Sequence, residues 1–175
     1  MGLSYDFKVA KKRRDQLNTK ERESVLAICR EIYEAERTLT EKAAPILARC
    51  MVKCKGLCCQ NILPADIITE WDLLYILLMA PQVEMQMEDC IQKEDFFSQN
   101  CIFLENATGP CIFPDNIRPE RCIISFCNVE PSVEMEIARV MNRFSHLIRY
   151  YQWRPLGRMS AWLKNRLTVH RQIGR

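Results

Sequence analysis

The residues best suited to chemistry in this 175-residue chain are its cysteines, which number ten against only two histidines. Eight of the ten fall into two groups along the chain: Cys50, Cys54, Cys58 and Cys59, then Cys101, Cys111, Cys122 and Cys127. Thiolates bind zinc and iron–sulfur clusters, and in a reducing compartment clustered thiols more often bind metal than form disulfides. The pattern therefore predicts a metal site with ligands from both groups.

The first group has spacings that bring thiols together. Cys50 and Cys54 lie one turn apart on a helix, so both thiolates can reach one ion. Gly56 then permits a turn in which backbone N–H groups approach the sulfurs. The neighbours Cys58 and Cys59 point in different directions, so we do not expect both to bind one tetrahedral zinc. One is expected to be a ligand, and the other serves a second site, bridges two metals or stays unbound.

The cysteines and their neighbours resemble the YkgJ-type cysteine-cluster family over residues 50–127. The matching elements are Cys50…Cys54-Lys-Gly-Leu-Cys58-Cys59, Cys101-x-Phe-Leu, Gly109-x-Cys111-x-Phe113 and Arg118-Pro119-x-x-Cys122. The family is described as a zinc- or iron-chelating domain, and the amino-terminal part of the flagellin lysine N-methylase is similar to it. The resemblance implies metal ligands at Cys54, Cys58, Cys59, Cys101, Cys111 and Cys122, followed by Cys50 and Cys127.

The chain also departs from the pattern of that family. Three residues separate the first two cysteines, where the family more often has two. Phe113 stands where the family usually has tyrosine, and Ile123 stands where arginine is frequent.

We expect Arg118 and Arg121 to hydrogen bond or neutralise the thiolates, because several thiolates on one divalent ion leave a net negative charge.

The spacing of the second group bears on which metal is bound. Its cysteines are separated by nine, ten and four residues, whereas zinc commonly takes two closely spaced pairs. The larger inorganic core of an iron–sulfur cluster tolerates thiols that are further apart and differently directed. We therefore favour an iron–sulfur cluster of the [4Fe–4S] type, with zinc as the alternative.

The remaining candidate residues give little support to other chemistry. Cys29 and Cys90 are expected to be small buried apolar residues, and neither His146 nor His170 has the spacing of a zinc-finger ligand. The chain has no glycine-rich phosphate loop and no hydrolase nucleophile motif. A protein-modifying enzyme, suggested by the similarity to the methylase, stays open as an alternative. The leading interpretation is a metal-binding protein with a structural, electron-transfer or accessory role.

The rest of the chain predicts a mainly α fold. Apolar content of 48% and charged content of 27% are typical of globular proteins. We expect one domain over 1–175, with 50–127 as the metal-binding core and 128–175 as basic C-terminal helices. The helical bundle would surround an irregular Cys-rich segment, in which the repeated Cys-Ile-Phe favours a short β-hairpin.

Apolar residues at spacings of three and four define the expected helices. Asn18 with Glu21, or else Thr19, would cap the first of them. The predicted helices span 15–39, 40 to about 54 after a break or kink at Thr40 and Pro45, 64–80, 83–97, 133–151, and a final piece after a break at Pro155 and Gly157.

The basic residues are concentrated at the two ends of the chain. Residues 137–175 carry nine lysines or arginines and no acid, although the net charge is only +3. Such ends predict an acidic protein partner, with nucleic acid as a further alternative, or a face that packs against the acidic remainder of the chain. No signal peptide is recognisable, and the longest apolar run is far shorter than the ~20 residues that span a bilayer. We therefore expect a cytoplasmic protein with no membrane span.

Overall fold

The computed structural model of the chain confirms the mainly α fold. It describes the backbone of residues 2–53, 59, 62–93, 100–105, 110–126 and 131–173. Side chains are not described for residues 49–53 or for residues 155–173. The helices in this part of the chain are α1 (Leu3–Asp15), α2 (Thr19–Lys53), α3 (Pro64–Ile67), α4 (Glu70–Met79), α5 (Glu84–Gln92), α6 (Glu120–Ile124) and α7 (Pro131–Ile173). None of these helices is long and apolar enough to cross a membrane.

Helix α4 occupies the centre of the fold. Its residues 72–78 are buried without interruption, and it packs against α1, α2 and α7. A helix that is apolar on every side is stable only when other elements enclose it. The sequence between Leu73 and Leu78 thus explains why the other helices gather around α4.

The helix predicted over 64–80 is wrong in part, because the structure divides it in two. Ile68 and Thr69 are extended and separate α3 from α4. The cause is a capping box: the Thr69 hydroxyl accepts from the Asp72 N–H at 3.4 Å, and the Asp72 carboxylate accepts from the Thr69 N–H at 2.8 Å. The predicted helix end before Pro81 is confirmed, because α4 ends at Met79. A 3-10 turn at Pro81–Val83 then leads into α5.

Helices α2 and α7 form the most extensive helix pair, and each runs through a predicted break. The break expected at Thr40 and Pro45 is wrong, because Ala43 and Ile46 continue the buried stripe of α2 on both sides of the proline. Proline has a φ compatible with a helix, but it removes one backbone hydrogen bond and its ring crowds the carbonyl four residues earlier. The packing of α2 outweighs both costs. The backbone of α7 likewise stays helical through 155–157 to Ile173, so that predicted break is also wrong.

The predicted cap of α2 is confirmed and is tied to α7. The Asn18 side chain accepts from the Glu21 N–H at 2.9 Å, and the Glu21 carboxylate accepts from the Asn18 N–H at 3.2 Å. Arg154 of α7 donates to the two oxygens of Glu21 at 2.8 and 2.6 Å. This bidentate ion pair joins the start of α2 to Arg154, the last residue of α7 whose side chain is described.

Helix α1 was not expected from the sequence, although Leu3, Phe7 and Ala10 have the spacing of a helical stripe and are buried. The basic residues that follow pair within the chain. The Arg13 guanidinium lies 4.4 Å from the Trp71 ring centre and donates to Glu70 at 3.1 Å. The basic N-terminal segment therefore packs, at this residue, against the acidic remainder of the chain.

A carboxylic acid on α2 is enclosed within the core. Glu36 has no exposed surface, and its Oε2 accepts from the Tyr75 hydroxyl at 3.1 Å and from the Arg118 N–H at 3.3 Å. Its Oε1 is buried without a hydrogen-bond partner among the described residues. Burial raises the pKa of Glu36 to about 9, so the side chain is neutral at pH 7.

Replacing Glu36 with glutamine (Glu36→Gln) is expected to change how stability depends on pH. The pKa of Glu36 rises from 4.5 to about 9 on folding, so its stabilising contribution is complete below pH 4.5 and is lost as the pH rises through 9. Glutamine keeps an oxygen acceptor at the position of Oε2, and its amide does not titrate in this pH range. Relative to E36Q, the wild type should lose at most about 1.4 kcal/mol of unfolding free energy per pH unit in this window.

Urea unfolding of the two proteins under reducing conditions, at equal metal content and between about pH 5 and about pH 8.5, measures the difference. Because both proteins contain the same cysteines, thiol ionisation cancels in the comparison. Parallel pH profiles would show that Glu36 does not titrate between its folded and unfolded states in this range.

Candidate metal centre

The second cysteine group is built from the repeated Cys-Ile-Phe of the sequence. Backbone N–H groups of Phe103 and Phe113 donate to the sulfurs of Cys101 and Cys111, each two residues earlier in the chain. The Phe103 and Phe113 rings contact each other at a tilt of 47° with their centres 4.7 Å apart, and both side chains are buried. The two repeats thus form matching local structures around two thiols.

The expected β-hairpin is reduced, in the part of the chain that is described, to one antiparallel bridge between Leu104 and Cys111. The Ile112 N–H donates to the Phe103 carbonyl at 2.9 Å, so the two repeats lie side by side. A single bridge is consistent with Pro110 and Pro114, which lack the N–H groups that a longer ladder needs.

A backbone hydrogen bond joins the two cysteine groups. The Cys101 N–H donates to the Cys59 carbonyl at 2.9 Å, across 42 positions of sequence. Cys122 lies on α6, and its thiol is within electrostatic range of Cys59, Cys101 and Cys111. The structure therefore brings together four of the eight predicted ligands, which come from both groups.

The other four predicted ligands are not described at the level of side chains. Cys54, Cys58 and Cys127 lie outside the described residues, and only the backbone of Cys50 is described, in α2. Among the side chains that are described, no three cysteines, histidines, aspartates or glutamates converge closely enough to hold a metal ion. The four described thiols are thus neighbours in one region, and they do not by themselves make a closed site.

The environment of these thiols favours their protonated form. Burial raises the pKa of Cys101 to about 11 and raises the pKa of Cys111, and the neighbouring Cys111 thiol adds to the shift at Cys101. Burial among neighbouring atoms also raises the pKa of Cys122, although that residue as a whole is exposed, and nearby thiols add to the effect. Nucleophilic cysteines usually have a lowered pKa, and the shifts of these thiols are in the opposite direction.

Among the described residues, the cation Arg118 opposes the shift at Cys111. The Arg118 guanidinium lowers the pKa of Cys111, whose thiol lies within its electrostatic range, while donating to the Asp115 carboxylate at 2.5 Å. This position agrees with the expectation that Arg118 neutralises part of the thiolate charge. Arg121 is exposed, and no hydrogen bond to a thiol is recorded for it within the described residues.

The sequence did not reveal the groups that hold the turn before Cys122. The Arg118 N–H donates to Glu36, and the Glu120 N–H donates to the Asp72 Oδ1 at 2.7 Å. Both carboxyl groups are buried, with Asp72 only 3% exposed. A signal was present in each case, since an acid within an otherwise apolar stripe must find a buried partner.

The two cysteines outside the groups behave differently from each other. Cys29 is fully buried in the helical core, as predicted, and burial raises its pKa to about 12. Cys90 on α5 packs against the core but is only half-buried, and its thiol is within electrostatic range of Cys101 and Cys111. Cys90 is therefore a neighbour of the thiol cluster, which spacing along the sequence did not indicate.

His146 lies on the exposed side of α7.

Comparison with known proteins identified no similar protein. The chain matches no protein-family model, no curated protein and no solved structure. Its function is therefore inferred from the residues of the thiol cluster and from their geometry.

Proposed function

We propose that this protein binds a metal through thiolates of its two cysteine groups, in a reducing compartment such as the cytoplasm. A [4Fe–4S] cluster is the favoured occupant and zinc is the alternative. The observation that carries the proposal is the backbone hydrogen bond from Cys101 to Cys59, which places thiols of both groups in one region. Cys50, Cys54, Cys58 and Cys127 are the proposed source of the ligands that complete the site.

The chemistry of the thiols supports a metal over a nucleophile. Several thiols with raised pKa values, including Cys101 at about 11, lie close to one another, and Arg118 is the arginine beside them among the described residues. Protonated thiols so arranged are poor nucleophiles, whereas a bound cation deprotonates its thiol ligands outright. A metal ion bound here would add positive charge to that of Arg118 and so favour the thiolate forms.

The backbone around the sulfurs also supports the proposal. N–H groups of Phe103 and Phe113 point at the sulfurs of Cys101 and Cys111, and such hydrogen bonds stabilise thiolate ligands and adjust the potential of iron–sulfur clusters. An iron–sulfur cluster supplies one-electron transfer when bound, whereas zinc supplies only a cross-link. The role proposed for the protein is accordingly electron transfer, accessory or structural.

Alanine at the proposed ligands is expected to lower the metal content of the purified protein. Cys59→Ala, Cys101→Ala, Cys111→Ala and Cys122→Ala should each reduce bound metal per chain, because each removes a thiolate. Cys29→Ala is the matched control, since Cys29 is equally a cysteine but is buried in the helical core. Elemental analysis of proteins purified without oxygen measures the effect. Equal metal loss in C29A and in the four ligand variants would contradict the assignment.

Removing the metal is expected to loosen the Cys-rich segment before the helices. Residues 100–105 and 110–126 contain one short helix and one bridge, whereas α2, α4 and α7 have their own buried faces. Metal affinity in such sites is folding free energy, so a chelator should expose the segment. Limited proteolysis with mass spectrometry should then locate new cleavages at 100–127, while the circular dichroism of the helices persists. Unchanged cleavage after complete metal removal would show that the metal does not hold this segment.

A further inference from the structure

We propose that Glu36 and Asp72 are positioning residues of the thiol cluster, which bind the backbone of the Arg118-Pro119-Glu120 turn and so fix where Cys111 and Cys122 lie. This inference rests on the proposed metal-binding function and adds to it a pair of buried carboxyl groups that no cysteine motif contains.

The two carboxyl groups reach the turn from two different helices. Glu36 of α2 accepts from the Arg118 N–H at 3.3 Å, and Asp72 of α4 accepts from the Glu120 N–H at 2.7 Å. Pro119 lies between them, is buried and has no N–H group. Every backbone donor of the three-residue turn is therefore satisfied by a carboxyl group of the helical core.

The surroundings leave these carboxyl groups little freedom. Glu36 is fully buried, and the Tyr75 hydroxyl lies 3.1 Å from its Oε2 and 3.4 Å from the Asn116 carbonyl. Asp72 also accepts from the Thr69 hydroxyl at 2.6 Å, within the capping box that starts α4. Both acceptors are thus held in place by the enclosed helix α4, and the turn is held against them.

The turn is connected directly to the thiols. Cys122 follows two residues after Glu120 on α6, and its N–H donates to the Pro119 carbonyl at 2.9 Å. The guanidinium of Arg118, at the other end of the turn, lies within electrostatic range of the Cys111 thiol. A shift of the turn therefore displaces Cys122 and removes the cation beside Cys111.

The length and the charge of the Glu36 side chain can be separated by substitution. Glu36→Asp keeps the carboxyl group but withdraws it by one methylene from the Arg118 N–H. Glu36→Gln keeps the length and the acceptor at Oε2. Glu136→Asp is the matched control, because Glu136 is a second buried glutamate, 1% exposed, whose carboxylate binds Lys42 of α2 away from the turn.

The test is a titration of the reduced, metal-free full-length chain with Co²⁺, read from the thiolate-to-cobalt charge-transfer absorption. E36D is expected to weaken Co²⁺ binding by about 10- to 100-fold, the usual effect of losing a group that orients a ligand. E36Q and E136D should bind Co²⁺ like the wild type, and the helical circular dichroism of all four proteins should agree.

Different results separate this inference from the proposed function. No thiolate-to-cobalt absorption in the wild type, together with no iron–sulfur absorption after anaerobic reconstitution with iron and sulfide, would refute metal binding itself. Normal absorption with equal Co²⁺ affinity in wild type and E36D would refute the positioning role alone. A tenfold loss of Co²⁺ affinity in E36Q, about 1.4 kcal/mol, would refute it as well. Should E36D lose helicity, Tyr75→Phe decides the matter, since it removes only the hydroxyl that holds Glu36. Weaker Co²⁺ binding by Y75F supports the role, and wild-type affinity overturns it.

Discussion

The enclosure of α4 is the constraint on which the rest of the structure depends. Seven consecutive buried residues leave this helix no face toward solvent, so its polar side chains must find partners inside the protein. Asp72 and Tyr75 find them in the segment that carries Cys111 and Cys122, partly through Glu36 of the neighbouring helix α2. The hydrogen bonds that complete the core are therefore also those that fasten the Cys-rich segment to it.

The thiol cluster has the opposite character, because its own interactions are few. One short helix, one bridge and a pair of phenylalanine rings in tilted contact order the described part of 100–126. Close, desolvated thiols destabilise one another as thiolates, and one arginine offsets only part of that cost. The proposed metal would remove both difficulties, since it would cross-link the segment and supply charge where thiolates form.

Features that depend on neighbouring residues could be predicted from the sequence, and features that depend on distant ones could not. The capping box at Asn18 and the helix over 133–151 are local patterns, and both are confirmed. The break predicted at Pro45 is wrong because packing against α7 outweighs one lost hydrogen bond. The partners of Glu36 and Asp72 lie 82 and 48 residues away, so no spacing rule points to them. Cysteine spacing pointed to four described cysteines that the fold places in one region, Cys59, Cys101, Cys111 and Cys122, but it missed Cys90 as their neighbour.

The most direct test of thiolate-bound metal is elemental and acid-labile sulfide analysis of the full-length chain purified without oxygen, combined with a count of reactive thiols. The account predicts a brown protein with stoichiometric iron and sulfide or, with the alternative metal, a colourless protein with stoichiometric zinc. In either case most thiols of the two groups should be protected until a chelator is added. Protein that is folded, contains no stoichiometric metal and reacts at the thiols of both groups without chelator would contradict the account.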